Sequence, residues 1–153
     1  MSSICIIDTS ILVEILNVPG KAGQHSEVIS ELKTKIEAKE SLFLPMATIF
    51  ETGNHIAQNG NGAERRKCAE QFVIQVQKAL NGDSPFKAID FPERGRMLQW
   101  LKDFPDSAMR KSGLGDLSII CDFYKICLQN QGRRVYIWSL DGHLRGFSRD
   151  AMV

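Results

Sequence analysis

Four carboxylates are the residues of this chain best placed to do chemistry. Asp8 directly follows an apolar run, Glu51 lies inside a helix-like stretch, Asp116 heads the most apolar segment, and Asp141 stands three positions beyond another apolar run. Carboxylates gathered without matching cations repel one another, and burial raises the cost of keeping them ionised. A divalent cation relieves both penalties. Oxygen-only ligation suits magnesium or manganese, which retain waters and bind substrate phosphates. Such an ion can activate water and neutralise a phosphoryl group during in-line displacement, and a second ion can stabilise the leaving oxygen. A shared site of this kind would hydrolyse a phosphodiester.

Each acid also has an ordinary structural role open to it. Asp8 before TSILVEIL, Asp116 before LSIICDF and Asp141 before GHLRGF each fit a helix N-cap. Thr48 and Glu51 have capping-box spacing, and Asp141-Gly142 is a common turn pair. Capping and metal ligation are compatible in one carboxylate.

Whether the acids meet depends on the elements that carry them. Residues 3–7 (SICII) read as a buried strand of the parallel kind, at the centre of a sheet. Residues 9–16 have helical spacing and end at Asn17-Val18-Pro19-Gly20. Residues 26–38 place Val28, Ile29, Leu32 and Ile36 on one helical face. A second strand over 41–44 stops at Pro45, and a helix over 46–57 follows. Residues 63–80 form a long helix capped by Asn81-Gly82-Asp83. After a short strand at 86–89, a helix spans 92–102 with proline in its first turn, and 103–113 reads as irregular. Residues 117–129 are apolar on nearly every face, which predicts an enclosed helix. A strand over 134–138 and a short helix over 143–147 complete the chain.

This alternation predicts a three-layer α/β/α fold with a central parallel sheet of four or five strands, as a single domain over residues 1–153. Ligand sites in such sheets form beyond the carboxyl ends of the strands, where Asp8 and Asp141 would lie. Hydrophobic residues make up 43% of the chain and charged ones 24%, enough apolar content to exclude extended disorder. No run approaches the roughly 20 apolar residues of a membrane span, and the opening lacks an export signal, so a cytoplasmic protein is expected. Cys5, Cys68, Cys121 and Cys127 are expected to be reduced thiols, and neither they nor the scattered His25, His55 and His143 have zinc-site spacing.

The 19 basic residues nearly balance 18 acidic ones, which argues against a generic nucleic-acid coat. Local basic pairs remain. Arg110-Lys111 precedes Asp116, Arg133-Arg134 precedes the last strand, and Arg145 follows Asp141, so these five are the candidate RNA contacts. Arg65-Arg66-Lys67 reads as a solvated helix face, and Trp100 as core or a base-stacking platform. His55 is spaced to pair with Glu51, and His143 is placed at the periphery of the acids.

The run IIDTSILVE around Asp8, the Glu51 helix, GLGDLSII around Asp116 and VYIWSLDGHLRGF around Asp141 together resemble a PIN domain. That family includes small metal-dependent ribonucleases and the VapC-like toxins of bacterial toxin-antitoxin pairs. The resemblance spans essentially the whole chain, and it rests on the joint order of short motifs. It implies Mg²⁺ or Mn²⁺ held by Asp8, Asp116 and Asp141, with Glu51 completing the cluster and positioning the attacking water. It implies Ser10 and Ser139 as donors orienting a carboxylate, although a local helix-start role is equally open to each. An RNA substrate, an antitoxin protein and a homodimer are the partners this allows, and a membrane is not among them. An acidic-site phosphatase is disfavoured because the DTS motif lacks a second acid two residues on. The non-enzymatic alternative is a catalytically silent RNA-binding or protein-interaction module of the same fold.

Overall fold

The computed structural model describes residues 1–152. The elements run β1 (Ile4–Ile7), α1 (Thr9–Ile15), α2 (His25–Glu37), β2 (Ser41–Leu44), α3 (Met46–Ala57), α4 (Gly62–Asn81), β3 (Phe86–Ala88), α5 (Arg94–Met109), α6 (Leu114–Gln129), β4 (Val135–Trp138), α7 (Gly142–Arg145) and β5 (Ser148–Arg149). The sheet order is β3-β2-β1-β4-β5, with β1 parallel to β2 and β4, β2 parallel to β3, and β5 antiparallel on β4. Helices cover both faces of this sheet, giving a three-layer α/β/α architecture.

Strand period divides β1 between two cores. Cys5 and Ile7 pack with Ile11 and Leu12 of α1, Val28 and Leu32 of α2, and Tyr136 and Trp138 of β4. Ile4 and Ile6 point the other way, against Ile119, Phe123 and Ile126 of α6 and Leu144 of α7. All four β1 side chains are 0% exposed, so each of its isoleucines contributes about 1.5–3 kcal/mol of burial. This two-sided burial is why the strand shows a continuous apolar run rather than alternation.

A buried acid organises the next connection. Glu14 accepts hydrogen bonds from the Gly23 and Gln24 backbone N–H groups at 3.0 and 2.9 Å. Gln24 itself makes no side-chain cap on α2, so Glu14 takes on one orphan donor of that helix entry, the Gln24 N–H, together with the Gly23 N–H just before it. At the far end of α4, Gly82 adopts φ +77°, the left-handed C-cap that glycine allows without steric cost.

Three expectations need correction. Residues 103–113 are not irregular throughout, because α5 continues through Pro105 to Met109. The ring removes one helical hydrogen bond, and packing of α5 on α6, which buries Trp100 and Ser107, outweighs that loss. Second, α6 begins at Leu114 with Gly113 as its N-cap, so Asp116 lies within the first turn rather than capping it. Third, α6 is not enclosed all round: Tyr124 and Leu128 are 56% and 74% exposed. The short antiparallel β5 was not anticipated. The four cysteines are free, and no described helix is long and apolar enough to cross a membrane.

Asp122 on the buried side of α6 faces Arg96 of α5 at 3.4 Å. Burial raises its carboxyl to about 6, and the attraction of Arg96 only partly offsets this. A folded state that holds the proton more tightly than the unfolded chain is favoured at low pH and loses that advantage as pH rises from about 4 to about 6. Between pH 4 and 7, wild type is therefore expected to lose about 2 kcal/mol relative to Asp122→Asn, as read from denaturant unfolding of both proteins.

Candidate active site

The order β3-β2-β1-β4 reverses at β1, since the chain leaves β1 for β2 on one side and returns to β4 on the other. Such a reversal opens a crevice beyond the strand ends. Asp8 leaves β1 at that point, and its N–H donates to Trp138 O at 3.1 Å, which carries the β1–β4 pairing one residue past the strand.

Two serines then hold Asp8. Ser10 Oγ and Ser139 Oγ each donate to Asp8 Oδ2 at 2.8 Å. Each serine also accepts from the β4 exit: Leu140 N–H donates to Ser10 Oγ, and Asp141 N–H donates to Ser139 Oγ, both at 2.9 Å. The carboxylate of Asp8, 4% exposed, is thus fixed by groups from both sides of the crevice. Both serines donate to one oxygen of Asp8, and Ser10 also lies in the first turn of α1. Asp8 and Asp141 are also N-caps, of α1 and α7, and Asp141 accepts from His143 N–H at 2.9 Å.

Glu51 arrives from α3. Thr48 Oγ1 donates to Ile7 O at 2.8 Å and pins that helix to the end of β1. The capping-box reading of Thr48 and Glu51 is thereby overturned, because the helix starts at Met46 and the two side chains serve different partners. Glu51 Oε2 instead accepts from Thr9 Oγ1 at 2.8 Å. Its Oε1 rests on Gly115, where a Cβ would overlap it. Glycine in a helix costs about 1 kcal/mol relative to alanine, and here it leaves the space that the carboxylate occupies.

Asp116 is half-buried and within reach of the charges of the other three acids. Its carboxyl is raised to about 6, first by burial and then by the charges of Asp8, Asp141 and Glu51, while His143 acts in the opposite sense. A first-turn position in α6 favours the ionised form, so the opposing effects outweigh the helix dipole. Neither ion pair among the described residues, Arg66–Glu70 or Arg96–Asp122, involves the cluster. The four acids offer oxygen atoms only, the donor type that a hard divalent cation takes. Among the described residues, however, no three His, Cys, Asp or Glu side chains are gathered tightly enough to enclose an ion in these rotamers. Asp116 and Asp141 are half-exposed, whereas Asp8 is buried.

The basic residues divide. Arg145 is beside the cluster, its Nε donating to Ser139 O at 3.4 Å. Arg110 and Lys111 are exposed in the segment that leads into α6. Arg133 and Arg134 are not at the site. Arg133 donates to Ser2 O and Ser41 Oγ at 2.9 and 3.1 Å, and Arg134 lies over the Tyr136 ring at 4.0 Å. Both stand at the amino ends of the strands, a whole β4 length or roughly 13 Å from the acids. Sequence proximity to a strand did not reveal which end they occupy.

His55 makes no bond to Glu51, and its Nδ1 is buried without a partner. Trp100 is core, 4% exposed. The Arg66–Glu70 pair lies on a solvated face, as expected for that charge run. Sequence reasoning missed Thr9 and Gly115, and it gave Thr48 a different partner. For Gly115 there was a usable signal, a glycine in a helix start directly before an acid. The threonines gave none, because both also suit ordinary helix starts.

No family model, curated protein or solved structure matches this chain. In metal-free protein, Asp116 is expected to titrate near 6, and Asp8→Asn to lower that value by removing one repelling charge. Burial keeps the variant above the ordinary aspartate range. A carboxyl-carbon NMR titration of both proteins reads this directly, and an Asp116 value indifferent to Asp8 would separate the two carboxylates.

Proposed function

We propose that this chain is a metal-dependent endoribonuclease of PIN-like fold that hydrolyses RNA phosphodiester bonds in the cytoplasm, as the toxin of a toxin-antitoxin pair. The observation that supports the reading is the approach of Asp8, Asp116, Asp141 and Glu51 at the sheet's reversal point, where burial and then the charges of the other three acids raise the pKa of Asp116. Four carboxylates brought into mutual repulsion destabilise the fold unless a cation joins them, and strain of this kind concentrates at functional sites. Choice of RNA, and of a toxin role with an antitoxin partner, rests on the resemblance of the four motif runs to PIN domains.

Asp8, Asp116 and Asp141 would hold Mg²⁺ or Mn²⁺. The cation, when bound, supplies activation of water and neutralisation of charge at the phosphoryl group. Ser10 and Ser139 keep Asp8 in one orientation. Glu51, tethered by Thr9, positions the attacking water. Arg145, with Arg110 and Lys111 on the approach to α6, meets the phosphate backbone on either side of the scissile bond. A second copy of the chain forming a homodimer is compatible with this scheme.

A second reading, a catalytically silent RNA-binding or protein-interaction module, is favoured by one observation: among the described residues no three His, Cys, Asp or Glu side chains are gathered to hold an ion. The two readings part on metal-dependent cleavage. Purified protein with RNA and Mg²⁺ or Mn²⁺ is expected to cut the strand and to lose activity on chelation. Ser139→Ala is expected to cost about 10–100-fold, the usual effect of removing a group that orients a metal ligand, and Asp8→Asn and Asp116→Asn more. Gly115→Ala should reduce cleavage without unfolding the chain, because it displaces Glu51 from Thr9. Equal cleavage by wild type, Asp8→Asn and Asp116→Asn would sink the mechanism, and metal-independent RNA binding would favour the silent module.

A further inference from the structure

Beside the acidic cluster, α3, α5 and α6 line an open hollow of about 210 Å³, bordered by Met46, Phe50, Glu51, Met97, Trp100 and Gly115 among others. Among the described residues that line it, Glu51 alone is charged, and Thr9 ties that carboxylate into the cluster. The hollow and the acids therefore share a rim. Phe50, 60% exposed, is an aromatic ring that the core does not claim. Met46 and Met97 are half-buried thioethers, groups that adapt to and favour aromatic partners.

We propose that this hollow is a nucleobase subsite: it takes one unstacked base of a single-stranded RNA, the one adjoining the phosphate held at the acids. Three features of the hollow select that occupant. The volume lies below the roughly 300–1,000 Å³ of pockets for drug-sized ligands, so a single flat ring system is the fitting scale. The aromatic and thioether walls match a π-face, and stacking on such walls tolerates any base. Continuity through Glu51 requires a ligand with an apolar flat part at one end and, within one nucleotide's reach, a group that a cation can join to carboxylates. A nucleotide has both. A base inside a duplex cannot enter, because the hollow admits a ring only after it has left its stack.

The subsite assignment rests on the ribonuclease reading for its physiological strand, and its test is independent of cleavage. Full-length protein carrying ¹³C-methyl methionine is titrated, in chelator, with adenosine monophosphate and with ribose 5-phosphate. Ring-current upfield shifts that saturate are expected for the Met46 and Met97 methyl signals with the nucleotide alone. Met1, Met109 and Met152 should stay unmoved. Phe50→Ala, a change at an exposed side chain, should abolish the shifts. In cleavage kinetics, replacing the base beside the scissile phosphate by an abasic ribose is expected to raise KM about 10-fold in wild type, in keeping with the cost of losing one stacked base, and to have little effect in Phe50→Ala.

Shifts present without any RNA cleavage would keep the subsite and remove the nuclease reading. Cleavage without nucleotide-specific shifts would do the opposite. Shifts produced by N-acetylphenylalaninamide but not by the nucleotide would assign the hollow to an apolar side chain of a protein partner and overturn the proposal.

Discussion

The grip of Ser10 and Ser139 on Asp8 is the contact on which the candidate site depends. Both hydroxyls donate to one carboxylate oxygen and both accept from the backbone that leaves β4, so one small network joins α1, β1 and β4. It also satisfies polar groups that would otherwise be buried unpaired at the end of the sheet. The network exists only because β1 and β4 pair in register, with Ile7 opposite Trp138. A one-residue slip would turn the apolar set of β4 to the wrong face and carry Ser139 away from Asp8.

The remaining acids are delivered by contacts that serve the fold as well. Thr48 docks α3 on the end of β1 and so sets where Glu51 reaches. The cluster around Ile4, Ile6, Ile119 and Phe123 seats α6 on the sheet and so sets where its first turn, with Asp116, projects. A rigid apolar support thus holds like charges at a separation they would not choose, which is the division of labour expected between a packed scaffold and a functional site. The gap at Gly115 belongs to the same arrangement: a side chain there would compete with Glu51 for one volume.

Legibility in the sequence varied with how local the cause was. β2 and α3 match their expected bounds because Pro45 separates them and each has a clean period on its side. The extension of α5 through Pro105 was hidden, since local propensity argues against it and only packing on α6 overrides that. β5 was invisible because two residues carry no period. The four acids could be singled out by their places at strand and helix junctions. Which of the flanking basic residues join them could not, and Arg133 and Arg134 went to the other end of the sheet. A near-neutral total of 19 basic and 18 acidic residues likewise concealed a local concentration of negative charge.

Residue order alone determined the alternation of strands and helices, the burial of β1 on both faces and the candidacy of Asp8, Glu51, Asp116 and Asp141, because periodicity and junction chemistry are properties of neighbouring residues. Tertiary structure alone decided that β1 lies between β2 and β4, that Thr9 rather than Thr48 holds Glu51, and that an apolar hollow shares a rim with the acids. Those outcomes depend on groups brought together across 42 residues in the Thr9–Glu51 contact and 131 in the Asp8–Ser139 contact. Contacts of that span are set by the packing of whole elements, since closing such loops costs chain entropy that no local signal records.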